Sequence, residues 1–83
     1  MITDLKDTVE LMQSDNYIDR FKAEYYQTEI RYNRLKDLIV QINAGTAKFT
    51  PKCTKEVLMK QCADMGLYLY DLRYRANIEG IEL

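Results

Sequence analysis

Arginine and tyrosine residues are interleaved in two parts of this 83-residue chain, and this combination is what suggests chemistry. Arginine binds phosphate through two N–H groups at once, and its guanidinium plane stacks on nucleotide bases, as a tyrosine ring also does. The combination therefore predicts a site for a small nucleotide-type anion. The predicted ligand-binding residues are Arg31, Arg34, Arg73, Arg75, Tyr26, Tyr70 and Tyr74.

The same residues have a structural alternative. The seven tyrosines include Tyr25 and Tyr32, which fall on an apolar helical stripe and are expected to fill a core. The arginines lie close in sequence to carboxylates that would pair with them, namely Glu24, Glu29, Asp64 and Asp71. If every arginine is engaged in such an ion pair, the arginine and tyrosine residues form a solvated surface and do not form a ligand site.

No catalytic signature is present. Serine occurs once, histidine is absent, and no glycine-rich phosphate loop occurs, so nucleophilic and phosphoryl-transfer chemistry lack their usual residues. The carboxylate pairs Asp15/Asp19 and Glu79/Glu82 lie at helix ends, where they are expected to be solvated. General acid–base catalysis needs carboxylates that are buried and held at a fixed separation. Cys53 and Cys62 do not have the spacing of a metal-ligand pair. We therefore expect no enzyme activity, no catalytic residue, no metal and no cofactor.

The overall charge narrows the class of partner. The formal net charge is −1 and the sequence pI is about 5.3, whereas proteins that coat DNA or RNA usually carry a basic excess. No DNA or RNA polymer is therefore expected as a partner. No run of about 18 apolar residues and no signal peptide is seen, so neither a membrane nor secretion is expected. The expected location is the cytoplasm, or the host-cell cytoplasm if the chain is encoded by a phage.

Two apolar stripes predict the fold. Between Tyr17 and Asn43 the apolar residues recur at alternating steps of three and four, which is a heptad seam with one polar member, Thr28. A second stripe runs from Leu58 to Ala76. The prediction is an all-α antiparallel helical hairpin, a single helical domain over residues 1–83. Its parts are a short helix 3–13, a long helix 16–44, a turn 45–53 in which Phe49 plugs the closed end, and a long helix 54–80.

Apolar residues remain outside the two seams. On the long helix Ala23, Tyr26 and Ile30 lie on the far side, and Leu38 and Val40 also lie off the seam. On the last helix they are Met59, Ala63, Gly66, Leu67, Tyr70, Tyr74, Ile78 and Ile81. A monomer would expose them as a patch larger than soluble monomers usually carry. Small domains also need extra stabilisation from outside their own core. We therefore expect a homo-oligomer, in which hairpins assemble into a helical bundle.

Three segments carry a resemblance to a known family. They read FKAEYYQTEIRYNRL, FTPKCTKEVL and YLYDLRYRANIEGIEL. Over residues 16–83 the chain resembles small helical-hairpin proteins of phages and prophages, related to an uncharacterised crAss-like-phage protein. This resemblance implies a phage or prophage accessory protein. The architecture is also similar to that of some phage anti-CBASS and anti-Thoeris sponges, small helical hairpins that assemble into oligomers. Those proteins sequester cyclic nucleotides or ADP-ribose-derived signals without cleaving them.

Two function hypotheses follow from the residues and the resemblance together. The first is a phage counter-defence protein that binds and sequesters a nucleotide-type immune signalling molecule, a cyclic nucleotide or an ADP-ribose derivative. The alternative is an oligomeric helical interaction module that binds and blocks a host protein through the surplus apolar surface. A purely structural phage component is a third possibility, which predicts association with virions.

Overall fold

The N-terminal segment is short and tightly capped. A computed structural model describes residues 2–83, so Met1, where the predicted domain begins, lies outside the described residues. A 3-10 turn spans Leu5–Thr8 and a four-residue helix α1 spans Val9–Met12. The side chains of Asp4 and Asp7 form a reciprocal capping box at the start of the turn. The single short helix predicted over 3–13 is thus two elements, because the Thr8 hydroxyl donates to the carbonyl of Leu5 and tightens the turn.

The long helix α2 spans Tyr17–Ala44, close to the predicted 16–44. The side chain of Asn16 accepts a hydrogen bond from the Ile18 N–H at 2.8 Å, which satisfies one of the free donors at the helix start. The helix ends at Gly45, whose φ of 75° is a left-handed conformation that glycine adopts without a steric penalty.

Helix α3 spans Lys55–Glu79, compared with the predicted 54–80. The Thr54 hydroxyl caps its start, and Gly80 ends it with a φ of 71°. The chain then folds back, since the Ile81 N–H donates to the Ala76 carbonyl at 2.8 Å and the Ile81 side chain is buried. The prediction that Ile81 adds to the exposed apolar surface was wrong for this reason.

The core lies between α2 and α3. Its buried cluster is Phe21, Tyr25, Leu69, Leu72, Ala76 and Ile81. Residues 2–83 contain helices and no strand, which confirms the all-α class. Contacts between the helices join Tyr17 to Glu79 and Tyr25 to Arg73, and the ring of Tyr32 lies against Gly66.

The residues before α2 cover its far face. Ala23, predicted to lie on a surplus apolar face, is only 2% exposed, and Tyr26 and Ile30 are half-buried. Thr8 is fully buried there, and its hydroxyl accepts a hydrogen bond from the Gln27 side chain at 2.9 Å. The expectation that this face is left over was wrong, because residues 2–13 pack on it.

The loop between α2 and α3 leaves Phe49 in solvent. Its side chain is 65% exposed, so the prediction that it plugs the closed end of the hairpin was wrong. Ile39 and Leu58 are the buried apolar residues nearest this end of the two helices. The buried core therefore ends before the loop that carries Phe49 begins.

The described structure measures 43 × 25 × 19 Å. Within residues 2–83, no helix combines the length and the apolar character that crossing a bilayer requires. Cys53 and Cys62 are both free thiols. No cluster of three or more potential metal-ligating side chains occurs in the part of the chain that the structure describes.

Candidate functional site

Four side chains on α3 line an open cavity of about 310 Å³, here called the tyrosine groove. They are Tyr70, Arg73, Tyr74 and Asn77. These positions lie three, four and seven residues apart, so the helix presents them on one face. The rings of Tyr70 and Tyr74 pack edge to face with centroids 6.2 Å apart, and each ring is more than half exposed. The groove thus offers two aromatic surfaces next to one guanidinium group.

Arg73 is held in position by the core. Its Nε donates to the Tyr25 hydroxyl at 3.0 Å, and its Nη2 lies 3.8 Å from a carboxylate oxygen of Glu29. The guanidinium also lies over the Tyr25 ring, 5.8 Å from the centroid. The arginine side chain remains 58% exposed. Because only Nε makes a close hydrogen bond, the terminal N–H groups of the guanidinium are left for an anion.

The charges around Arg73 reinforce this arrangement. Burial raises the pKa of Tyr25, and the hydrogen bond to Glu29 raises it further, while the hydrogen bond from Arg73 acts in the opposite direction. The pKa of Arg73 is itself raised, first by its hydrogen bond to the Tyr25 hydroxyl. Arg73 is therefore charged at physiological pH, and the Tyr25 phenol that holds it is neutral.

The other predicted arginines lie elsewhere. Arg75 is only two positions from Arg73 and therefore points to another side of the helix. Its Nη2 donates to the Tyr17 hydroxyl at 2.8 Å, and its guanidinium lies 4.9 Å from the centroid of the Phe21 ring. Arg34 forms an ion pair with Asp4 of the N-terminal segment.

Two further predicted residues also lie outside the tyrosine groove. Arg31 is exposed and makes no ion pair within residues 2–83. Tyr26 packs against the core and meets the Tyr25 ring edge to face, with centroids 5.4 Å apart. The structure therefore brings together three of the seven predicted residues, Tyr70, Arg73 and Tyr74.

A second open cavity, of about 250 Å³, lies between α2 and α3 and is here called the seam groove. Its lining residues are Tyr32, Lys36, Ile39, Val40, Met59, Cys62 and Ala63. The Lys36 ammonium lies 5.4 Å from the centroid of the Tyr32 ring, so a cation and an aromatic face adjoin here as well.

Sequence reasoning missed Asn77 and Lys36. Asn77 follows Tyr70 and Tyr74 at helical spacing, and Lys36 follows Tyr32 by four residues. Helical spacing from a tyrosine, i+3 for Asn77 and i+4 for Lys36, was therefore a usable signal for both. Neither asparagine nor lysine belongs to the arginine–tyrosine pattern from which the site was predicted.

A family model described as Sequestin matches residues 15–78, which include all of α2 and nearly all of α3. The chain belongs to the Sequestin family. The family name implies that a molecule is sequestered and does not say which. Neither the comparison with curated proteins nor that with solved structures gave a match. The Sequestin match is silent on the phage resemblance, which stays a prediction.

Both grooves lie within the matched segment. Residues 2–14, which include Asp4 and Thr8, lie outside it. The part of the chain that defines Sequestin membership is therefore the helix pair with its two grooves.

Proposed function

We propose that this Sequestin-family protein binds and sequesters a nucleotide-type immune signalling molecule without cleaving it, as a counter-defence protein of a phage. The observation that carries the proposal is the tyrosine groove, in which Arg73 is anchored by the core and lies beside two exposed tyrosine rings. The family name supports sequestration in general, and the groove chemistry supports the class of ligand.

The groove residues suit the two parts of a nucleotide. A base stacks on the exposed face of Tyr70 or Tyr74, which contributes about 1–3 kcal/mol per base in comparable sites. A phosphate accepts hydrogen bonds from the free N–H groups of Arg73. Asn77 adds an amide that donates and accepts, which suits a ribose hydroxyl or a base edge.

Retention without cleavage fits the same set of side chains. Hydrolysis of a phosphate or glycosidic bond needs a general acid or base, a nucleophile or a metal. Two phenols, one guanidinium and one amide line the groove, whereas that chemistry usually relies on carboxylate, imidazole or thiol groups or on a bound metal. The proposal is therefore a binding protein, not an enzyme, that lowers the free concentration of its ligand in the cytoplasm of the host cell.

The proposal includes an oligomer of antiparallel hairpins. Large apolar side chains on α3 remain exposed, among them Met59, Leu67 and Ile78, and Ile78 is 72% exposed. Such an apolar patch favours association between copies. A sequestering protein gains from association, because residues of two copies enclose a ligand more fully than one open groove does.

Calorimetry tests the proposal directly. The protein is titrated with a panel of cyclic dinucleotides, cyclic trinucleotides and ADP-ribose derivatives, and at least one member is expected to bind at a defined stoichiometry. The bound ligand is then recovered by denaturation and is expected to be chemically unchanged. No heat with any member, or conversion of the ligand to a product, contradicts the proposal.

Matched variants locate the site in the same assay. Tyr74→Ala removes a stacking ring and is expected to weaken binding about 10-fold or more. Arg73→Gln is expected to weaken it at least as much, through the loss of the phosphate contact. The controls are Tyr68→Ala and Arg31→Gln, which alter exposed residues outside both grooves and are expected to leave the affinity within about twofold.

A second candidate function rests on the exposed apolar side chains of α3. They also suit a host protein that the Sequestin-family chain blocks by occupying its surface. A stoichiometric complex with one host protein, in material that binds no nucleotide of the panel, favours this second function.

A further inference from the structure

The outward face of α3 carries a continuous apolar row, here called the outer stripe. Its members are Met59, Ala63, Leu67, Tyr70, Tyr74 and Ile78. All six are exposed, and the steps between them are four, four, three, four and four residues. This sequence of steps reads the same in both directions. The row extends about 28 Å along the helix at 1.5 Å per residue.

A row with this symmetry is complementary to its own reversed copy. If two α3 helices pair antiparallel about a two-fold axis between Tyr68 and Leu69, Leu67 lies opposite Tyr70 of the partner subunit. Ala63 then lies opposite Tyr74 of the partner subunit, and Met59 opposite Ile78 of the partner subunit. The smallest member faces a tyrosine, which is the size relation that helix packing needs. Two-fold dimers use such self-complementary surfaces.

The exposed area is adequate for a dimer. A tyrosine side chain offers about 150–250 Å², and those of Tyr70 and Tyr74 are 62% and 57% exposed. With Met59, Leu67 and Ile78 the outer stripe exposes on the order of 500 Å² per copy. A stable interface buries about 800 Å² per partner, so the stripe supplies most of that area and its polar borders the rest.

The charged border does not oppose a second copy. One side of the outer stripe carries Lys60, Asp64, Asp71 and Arg75, two cations and two carboxylates with no net charge. Lys60 already pairs with Asp64 at 2.8 Å within the chain. Two such borders therefore meet without a net repulsion.

Both grooves adjoin the outer stripe. Tyr70 and Tyr74 belong to the stripe and to the tyrosine groove, whereas Met59 and Ala63 belong to the stripe and to the seam groove. In the antiparallel pair, Tyr74 of one copy lies at the same height along the helix axis as Ala63 of the partner subunit. The tyrosine groove of each copy then faces the seam groove of the other.

We propose that two copies pair antiparallel through their outer stripes, and that each tyrosine groove and the partner's seam groove merge into one cavity for a nucleotide-type anion. Two equal cavities result, each with Arg73 from one copy and Lys36 from the other. The assignment of the ligand rests on the proposed function above; the pairing of the helices does not. The single grooves of 310 and 250 Å³ combine to a size typical of small-molecule sites, about 300–1,000 Å³.

Mixed dimers test whether the cavity is shared. Arg73→Gln and Lys36→Gln homodimers are each expected to bind cyclic di-AMP or ADP-ribose, whichever the wild-type protein binds, at least 10-fold more weakly. An equimolar mixture that is unfolded and refolded together forms mixed dimers, and each of these contains one cavity with both cations intact. The mixture is therefore expected to recover about one quarter of the wild-type sites, as two-fold symmetry requires. A mixture that binds no better than the separate variants overturns the shared cavity, while the proposed function still stands.

Distances between spin labels test the pairing without any ligand. In a Cys53→Ser, Cys62→Ser background, labels at Asp71→Cys are expected to lie about 8 Å apart along the helix axis, and labels at Lys60→Cys about 26 Å apart, because each residue rises 1.5 Å. Parallel pairing makes both distances short, and a monomer gives no inter-chain distance. Either result overturns the proposed dimer, even if the protein binds nucleotides and the proposed function holds.

Discussion

Arg73 is oriented by a phenol of the core. The hydroxyl of Tyr25 accepts from Arg73 Nε and donates to Glu29, at 3.0 and 2.9 Å, so the three side chains form a chain of hydrogen bonds from the core to the groove. The closest partner of the guanidinium is thus a neutral hydroxyl, and the Glu29 carboxylate lies farther away, 3.8 Å from Nη2. A close carboxylate would compete with an anionic ligand for the same N–H groups.

The phenol of Tyr25 predicts a loss of stability at high pH. Burial, and then Glu29, raise the pKa of Tyr25 in the folded chain, so the unfolded chain loses this proton first. The stabilising contribution is present below the unfolded pKa and is lost as the pH rises above about 10. Urea unfolding across this range is expected to show a steeper loss for the wild-type protein than for Tyr25→Phe. Equal slopes for the two proteins contradict this account.

Gly66 predicts a gain in stability on substitution. A methyl group at this position would lie 3.4 Å from the ring of Tyr32, which is at the edge of ordinary van der Waals contact. Alanine is favoured over glycine inside a helix by about 1 kcal/mol. Gly66→Ala is therefore expected to raise the free energy of unfolding by up to about 1 kcal/mol. The variants Gln61→Ala and Gln61→Gly, at an exposed position of α3, measure the helix preference of alanine over glycine in this chain. If Gly66→Ala lowers the free energy of unfolding, the Tyr32 ring does not move to accept the methyl group, which contradicts this prediction.

At the scale of elements, the sequence predicts the heptad seams, but it does not predict which segment covers the other faces of the helices. Phe21, Tyr25 and Leu72 are buried as the alternating spacing predicts, because that spacing places them on the face that meets the other helix. Ile18, at the end of the same row, is 44% exposed. The row continues one turn beyond the part of the core that α3 and Ile81 fill.

The burial of Ala23 shows what spacing alone cannot give. Its position on the far face of α2 was read correctly, but the element that covers it comes from residues 2–13, whose apolar stripe is short and narrow. The N-terminal segment docks on α2 through particular polar contacts, such as Gln27 to Thr8 and Arg34 to Asp4. The spacing of apolar residues does not predict such contacts. The site was only partly predictable for a similar reason, because Arg75 and Arg34 are used within the chain.

The N-terminal segment is predicted to loosen in acid. Hydrogen bonds from the backbone N–H of Leu5, and then from Arg34, lower the pKa of Asp4, and the backbone N–H groups of Thr3 and Asp4 lower that of Asp7. Groups with a lowered pKa stabilise the fold above the unfolded pKa, and that contribution is lost as the pH falls through the folded pKa. Below about pH 4, amide hydrogen exchange in residues 5–13 is expected to quicken before that in α2 and α3.

A matched pair of variants checks the cause. Asp4→Asn removes the ion pair to Arg34 and is expected to bring the same loosening to neutral pH. The control is Glu10→Gln, because Glu10 is an exposed residue of α1 whose carboxylate makes no ion pair within residues 2–83. Equal exchange in the two variants at neutral pH contradicts the role given to Asp4.

At the scale of the whole molecule, the packing of α2 on α3 leaves one face of α3 in contact with solvent. The core lies between α2 and α3, the N-terminal segment covers the far side of α2, and the outer stripe stays in solvent with both grooves beside it. The proposed ligand site and the proposed self-association surface therefore adjoin. Capture of the ligand and assembly are expected to depend on each other, and ligand is expected to stabilise the assembled form by mass action.

Native mass spectrometry of the protein, purified from cells that produce a nucleotide immune signal, tests this account most directly. The expected result is an even-numbered oligomer of the 9.8 kDa chain that carries bound small molecules, one for each chain, and releases them unchanged on denaturation. A 9.8 kDa species with no bound small molecule, from cells in which the signal is demonstrably present, contradicts the account.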